Sequence, residues 1–216
     1  MILPDVIPLF PLPSVVLFPR MPLPLHVFEP RYRAMVRDAI RGARLIGMAL
    51  LRGDWERDYE GRPAIFAEGT VGELAHVEEL PDGRFDIVLR GLREFRVEHE
   101  LPPRAPYREA RVTWRAPAPA VLPAGMRAAV VAQVARYLER TGRPAPEQDL
   151  LESGVDDETF VNFLAQHLDL DALERQGLLE APSLAARARR LLDVLVFRLE
   201  GLRQHGGVAD PSRRPH

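Results

Sequence analysis

Apolar residues crowd the first part of the chain, yet prolines keep interrupting the pattern they would otherwise make. The run from Leu9 to Val36, LFPLPSVVLFPRMPLPLHVFEPRYRAMV, is as greasy as a membrane span. Prolines 8, 11, 13, 19, 22 and 24 remove backbone donors and clash with the preceding turn of any helix. Short extended pieces are expected instead, Ser14–Phe18 and Leu23–Phe28, leading to a helix that opens at Pro30. Pro30 suits the first helical turn, and Gly42 suits the position just past the end. Between them Tyr32, Met35, Val36, Ala39 and Ile40 fall on one helical stripe, as for a helix lying on a sheet.

Leu45–Leu51 is an apolar run of strand length, and Gly53–Arg62 is a charged loop carrying Trp55 and Tyr59. Gly69 to Val97 reads GTVGELAHVEELPDGRFDIVLRGLREFRV, in which Pro81-Asp82-Gly83 signals a turn between two strands. Phe85, Ile87 and Leu89 alternate with Asp86, Val88 and Arg90, the period of a half-buried strand. The alternation slips at Gly72, which marks a bulge, and pauses at Gly91. Tyr107–Trp114 is a last strand. Short strands with frequent turns predict a small barrel rather than an α/β sheet.

RAPAPAVLPA, residues 115–124, is a semi-rigid connector, and the pattern beyond it is helical. Gly125–Arg140 is a helix ending at Gly142, Asp156 caps another running to His167, and Asp171 with Glu174 has capping-box spacing. The last helix starts near Ser183 and lines up Leu184, Ala188, Leu191, Leu195 and Leu199. The class is α+β: a small β-barrel with one helix over 1–118, a C-terminal helical bundle over 119–205, and a disordered tail over 206–216.

Composition narrows the chemistry. The chain has no cysteine, which removes thiol nucleophiles, disulfides and thiolate metal sites. All 29 basic residues are arginine, so a Walker A loop, a Schiff base and a serine–lysine dyad are excluded. The net charge of −2 implies no general attraction to nucleic acid or anionic lipid. The first charge is Asp5 and prolines break the apolar start, unlike a signal peptide. No stretch reaches the ~18 uninterrupted apolar residues of a membrane span. A soluble, cytoplasmic protein is expected.

Three segments together resemble the N-terminal, substrate-binding domain of Lon proteases. They are the proline-rich opening through HVFEPRYRAMV, the GTVGELAHVEELPDGRFDIVLRGLREFRV block, and FVNFLAQHLDLDALERQGLLEAPSLAARARRLLDVL. The resemblance implies a PUA-like barrel followed by a helical bundle, acting as a substrate-recognition module. It also implies a free-standing member without the ATPase and protease domains, since neither has its lysine here. The long arm helix of full-length Lon is expected to be missing or curtailed.

No catalytic constellation emerges. None of Ser14, Ser153, Ser183 and Ser212 lies in a G-x-S-x-G elbow. The histidines form no helical metal pair and no H-E-x-x-H motif, so no metal or cofactor is expected. His26, Glu29, Pro30, Arg31 and Tyr32 form a structural motif at the strand-to-helix turn. Between residues 84 and 115 eight arginines face five acids, with Phe85, Phe95, Tyr107 and Trp114 interleaved. That is the one RNA-binding feature, although Phe85 and Phe95 sit on the core side of the alternation. A small-molecule hydrolase is the least supported alternative. The favoured reading is non-enzymatic recognition of exposed hydrophobic polypeptide, a role that would suit a protease or chaperone partner. Its expected contact surface is a rim of Phe18, Pro19, Met21, Pro22, Trp55 and Tyr59.

Overall fold

A computed structural model describes residues 3–59, 61–116, 119–143 and 154–204. The tail expected over 206–216 lies outside them. Within the described residues six strands appear in order: β1 (Val6–Leu12), β2 (Pro22–Val27), β3 (Leu45–Leu51), β4 (Ile65–Glu79), β5 (Phe85–Glu100) and β6 (Arg108–Trp114). Among the described residues five α-helices accompany them: α1 (Pro30–Arg41), α2 (Met126–Thr141), α3 (Asp157–His167), α4 (Ala172–Leu179) and α5 (Leu184–Gln204), with a 3-10 turn at Trp55–Asp58.

The strands form one mixed sheet in the order β2-β5-β4-β3-β1-β6, and β5 also pairs with β6, so the ladder returns on itself. The long β5 makes this possible. Its first half, Phe85 to Arg90, pairs with β2, and its second half, Phe95 to Glu100, pairs with β6. β4 runs along its other side from Phe85 to Arg96, with register shifts at Val71/Gly72 and Leu74/His76. Ile7, Leu9, Val71, Phe95, Ala110 and Val112 pack into one buried cluster along the closed ladder.

The first strand was not where the apolar run placed it. Val6–Leu12 is β1 despite Pro8 and Pro11, whereas Ser14–Phe18 makes no strand. β6 pairs with Val6 to Leu9 and β3 with Leu9 to Leu12, so each proline lies in a half of β1 that is paired on one side only. A missing N–H costs little there.

Residues 16–21, apart from the exposed Arg20, form a buried ribbon rather than an exposed turn. Phe18 has no exposed surface, Met21 has 4%, and Pro19 is also buried. This corrects the expected apolar rim at its N-terminal half. The ribbon is squeezed between β5 and α3, and both sides bond to its backbone. Gly91 N–H donates to the Met21 carbonyl at 2.9 Å, and Arg20 N–H donates to the Gly91 carbonyl at 2.7 Å. From α3, the Gln166 side chain accepts from Phe18 N–H at 3.1 Å and Asn162 donates to the Pro19 carbonyl at 3.1 Å. Gly91 is glycine because a Cβ there would sit 2.1 Å from the Phe18 carbonyl oxygen.

The helices are signalled locally as the sequence implies. The Asp156 side chain accepts from Thr159 N–H at 3.1 Å, and Asp171 with Glu174 completes a capping box. Gly142 closes α2 in the left-handed region, with φ of 64°. A second buried polar centre ties these helices to the sheet. Glu94 of β5 accepts from both Arg187 of α5 and Arg115, while Arg187 also donates to Asn162 at 2.5 Å. The main apolar cluster runs unbroken from Phe10, Leu17 and Phe18 through Phe160 and Leu164 to Leu191 and Leu195.

Candidate functional site at the entrance to α1

Glu29 precedes α1 in an extended conformation, and its carbonyl accepts from Tyr32 and Arg33 N–H. Pro30 occupies the first helical position, where a missing donor is harmless. The Glu29 carboxylate makes no cap and turns outward. It accepts from Arg31 Nε at 3.0 Å and from the Tyr59 hydroxyl at 2.8 Å. The Arg31 guanidinium lies 4.6 Å from the Tyr32 ring centre and 5.1 Å from that of Tyr59. Both of its terminal nitrogens reach the Tyr59 carbonyl at 3.3 Å. Trp55 meets Tyr59 edge-on, with ring centres 5.8 Å apart.

The charged loop is thus fastened to α1 through Tyr59. Burial pushes the Tyr59 phenol up, and the Glu29 carboxylate adds to the shift. Burial lowers the Arg31 pKa, but Tyr32 and Glu29 outweigh it and hold the guanidinium above its ordinary value. Burial likewise drives the Tyr32 phenol up to about 12.

Beside this clamp lies a cleft of about 240 Å³, lined among others by Tyr32, Arg62, Leu101, Pro103, Tyr107 and Arg108. Its floor is rigid. Arg108 grips Glu100 with Nε at 2.8 Å and a second nitrogen, and donates to the Pro63 carbonyl at 2.9 Å. Arg62 reaches the same carboxylate at 2.9 Å. Burial pushes the Glu100 carboxyl up, but the bonds and charges of Arg108 and Arg62 win and hold it below the usual carboxylate range. On the far wall the Tyr107 hydroxyl donates to Asp38 at 2.9 Å; burial, then that bond, raises its pKa to about 12. Prolines 102, 103 and 106 stiffen this wall.

Of the residues expected from sequence, Glu29, Pro30, Arg31, Tyr32, Trp55 and Tyr59 meet here. Phe18, Pro19 and Met21 do not, being buried under α3. Pro22 is exposed, but at the far end of β2, where its carbonyl accepts from Gln166 at 3.2 Å. His26 points elsewhere too, pairing with Asp86 at 2.6 Å on the exposed face of the sheet. Leu101, Tyr107, Arg108 and Arg62 were missed. The run LPPRAPYR carries no pattern that brings it to α1; only the β5–β6 pairing does. Phe85 and Phe95 are 1% and 0% exposed, so neither is available to stack on a base. Among the described residues no group of three or more His, Asp or Glu is placed to hold a metal ion. No helix among them is long and apolar enough to cross a membrane.

The family model described as the ATP-dependent protease La (LON) substrate-binding domain matches residues 6–196. The chain belongs to that family. Lon protease 2 of Myxococcus xanthus is 30% identical over 203 residues, covering 89% of this chain and 24% of the relative. A Lon protease of Anaeromyxobacter dehalogenans is 28% identical, covering 89% of this chain and 23% of the relative. The chain therefore spans about a quarter of the length of these curated relatives. Among solved structures, the Lon N-terminal domain protein from Xanthomonas campestris superposes with a TM-score of 0.65 at 29% identity, covering 87% of this chain and 97% of that one. The N-terminal domain of the Mycobacterium avium complex Lon protease gives 0.67 at 16% identity, a likeness of fold alone, over 88% of this chain and 98% of that one.

Proposed function

We propose that this chain is a non-enzymatic polypeptide-recognition module, which takes up exposed hydrophobic segments of unfolded clients at the cleft beside α1. One observation carries the reading: in a chain of the Lon substrate-binding family, an aromatic and proline-walled cleft opens beside the Trp55–Tyr59 loop. Rigid walls suit this task, because few rotamers are lost when a segment docks. Arg31, Arg62 and Arg108 are already paired with carboxylates, so Tyr32, Tyr107 and the prolines supply the apolar and aromatic contacts offered to a client. In this reading the closed ladder is a PUA-like barrel over 1–118, and the helices of 119–205 are a bundle that buttresses it. The setting is protein quality control in the cytoplasm, with a protease or chaperone as partner.

Photo-crosslinking to an unfolded test polypeptide, followed by peptide mapping, tests the site. Crosslinks are expected to concentrate on residues 52–62 and 101–107, and Trp55→Ala or Tyr107→Ala should each cut the yield severalfold. Labelling spread over the whole surface and indifferent to both substitutions removes the cleft from the proposal.

A further inference from the structure

A second cleft, of about 370 Å³, lies between β5 and the start of α5, on the seam joining the sheet to the helices. Its lining includes four arginines, at 20, 93, 115 and 187, against two glutamates, at 94 and 158. Arg20 is committed, pairing with Asp156 at 2.9 Å and with Glu158 at 2.7 Å. Arg115 and Arg187 both close on the single Glu94 carboxylate, so one positive charge is left over. Their other nitrogens go mainly to the carbonyls of residues 178–181, which are dipoles rather than charges.

Arg93 adds a second positive charge without a carboxylate, and with the two acids at Arg20 counted the named groups carry one net positive charge. Its Nε donates to the Arg115 carbonyl at 2.9 Å, which fixes the plane of the guanidinium. Among the described residues no carboxylate pairs with it, and its two terminal nitrogens have no acceptor. A guanidinium held by Nε with its fork free has the geometry that binds carboxylate or phosphate in bidentate fashion. Apolar walls at Pro19, Leu92 and Pro182 keep the local dielectric low and strengthen the field at the fork. The N-terminus of the 21-residue α5 opens on the same space through Ser183 and Leu184, and its dipole has the matching sign.

We propose that this seam cleft binds a small oxyanion, bearing carboxylate or phosphate groups, with Arg93 as its principal ligand. The ligand would bridge β5 to α5 and so stiffen the seam, and it would do so apart from the cleft beside α1.

Isothermal titration of the full chain with inorganic pyrophosphate and with citrate tests this, against sodium chloride at matched ionic strength. Saturable binding of either is expected, with a dose-dependent rise in melting temperature. Pyrophosphate alone identifies phosphate as the preferred group, and citrate alone identifies carboxylate. Arg93→Gln should weaken binding by about tenfold or more, while Arg93→Lys keeps part of the affinity. Both variants should melt close to the wild-type temperature without ligand, since they lose one bond to a backbone carbonyl and no ion pair. Absence of saturable binding for both probes at millimolar concentration overturns the proposal, as does undiminished affinity in Arg93→Gln.

Discussion

Single residues in this chain act through what buries them. Tyr32 sits under the Arg31 guanidinium with 4% of its surface exposed, and burial carries its phenol from the ordinary 10 to about 12. In the unfolded chain the same phenol ionises near its ordinary value. Between those limits the folded state holds a proton that the unfolded state has lost, so stability falls as pH rises. Urea unfolding should therefore show a marked loss of stability from about pH 10 upward. Tyr32→Phe should lessen that loss, with Tyr107 and Tyr59 carrying the rest, while costing little at neutral pH, because the Tyr32 hydroxyl bond to the Pro11 carbonyl is long, at 3.5 Å. An unchanged alkaline slope in the variant would assign the effect to other tyrosines.

At the scale of elements, the ribbon and the sheet edge make opposite demands on small and rigid residues. Gly91→Ala places a methyl group 2.1 Å from the Phe18 carbonyl, a backbone atom that cannot swing away. Chemical denaturation should show a loss of about 1–3 kcal/mol, the usual cost of overpacking. Gly177→Ala has the opposite sign. Nothing lies within 4 Å of the added Cβ, and the position is inside α4, so a gain of about 0.5–1 kcal/mol is expected. The edge strand β2 uses prolines instead. Gly91 N–H bonds to the Met21 carbonyl, so alternate residues from Met21 onward face β5, and Pro22, Pro24 and His26 face out. Two of the three outward positions thus have no donor, which blunts the edge against pairing with another chain. Pro24→Thr restores a donor and should raise concentration-dependent association, visible by light scattering. Much of this level was legible beforehand. The α1 stripe, the PDG turn, the Gly72 slip and the caps at Asp156 and Asp171 are local signals, and each marks the element it was read to mark. β1 was not legible, because a proline-bearing strand is tolerated only when its partners leave the right side open, and those partners, β3 and β6, lie far along the chain. The same distance explains the candidate site. Glu29, Arg31 and Tyr32 share one turn of chain, whereas Tyr107 and Arg108 arrive through the closure of β5 on β6.

For the whole molecule, the decisive feature is that sheet and helices share an interior. Phe18 packs from the ribbon into the cluster that continues to Leu195, and the Arg187 guanidinium lies 5.4 Å from the Phe18 ring centre. Glu94, Asn162 and the carbonyls of Leu178 and Leu179 hold that guanidinium on three sides, with 4% of the residue exposed. The ribbon recognised by α3 is therefore a structural splint, and exposing it would require opening the core. That is the physical reason an oily N-terminal block does not by itself make a binding surface. It also sets how the chain should unfold. Both tryptophans, 55 and 114, belong to the sheet side, whereas far-UV dichroism at helical wavelengths follows mainly α2 to α5. Fluorescence and dichroism should give one coincident transition, because the larger of the two apolar clusters is shared between the sheet and the helices. Arg187→Ala should move both traces together by about 3 kcal/mol or more, since it strips a buried carboxylate of one partner and leaves Asn162 and two carbonyls without their donor. Separation of the two traces in the wild-type chain would mean that the helices and the closed ladder are independent units, and that the Arg187 centre joins rather than builds them.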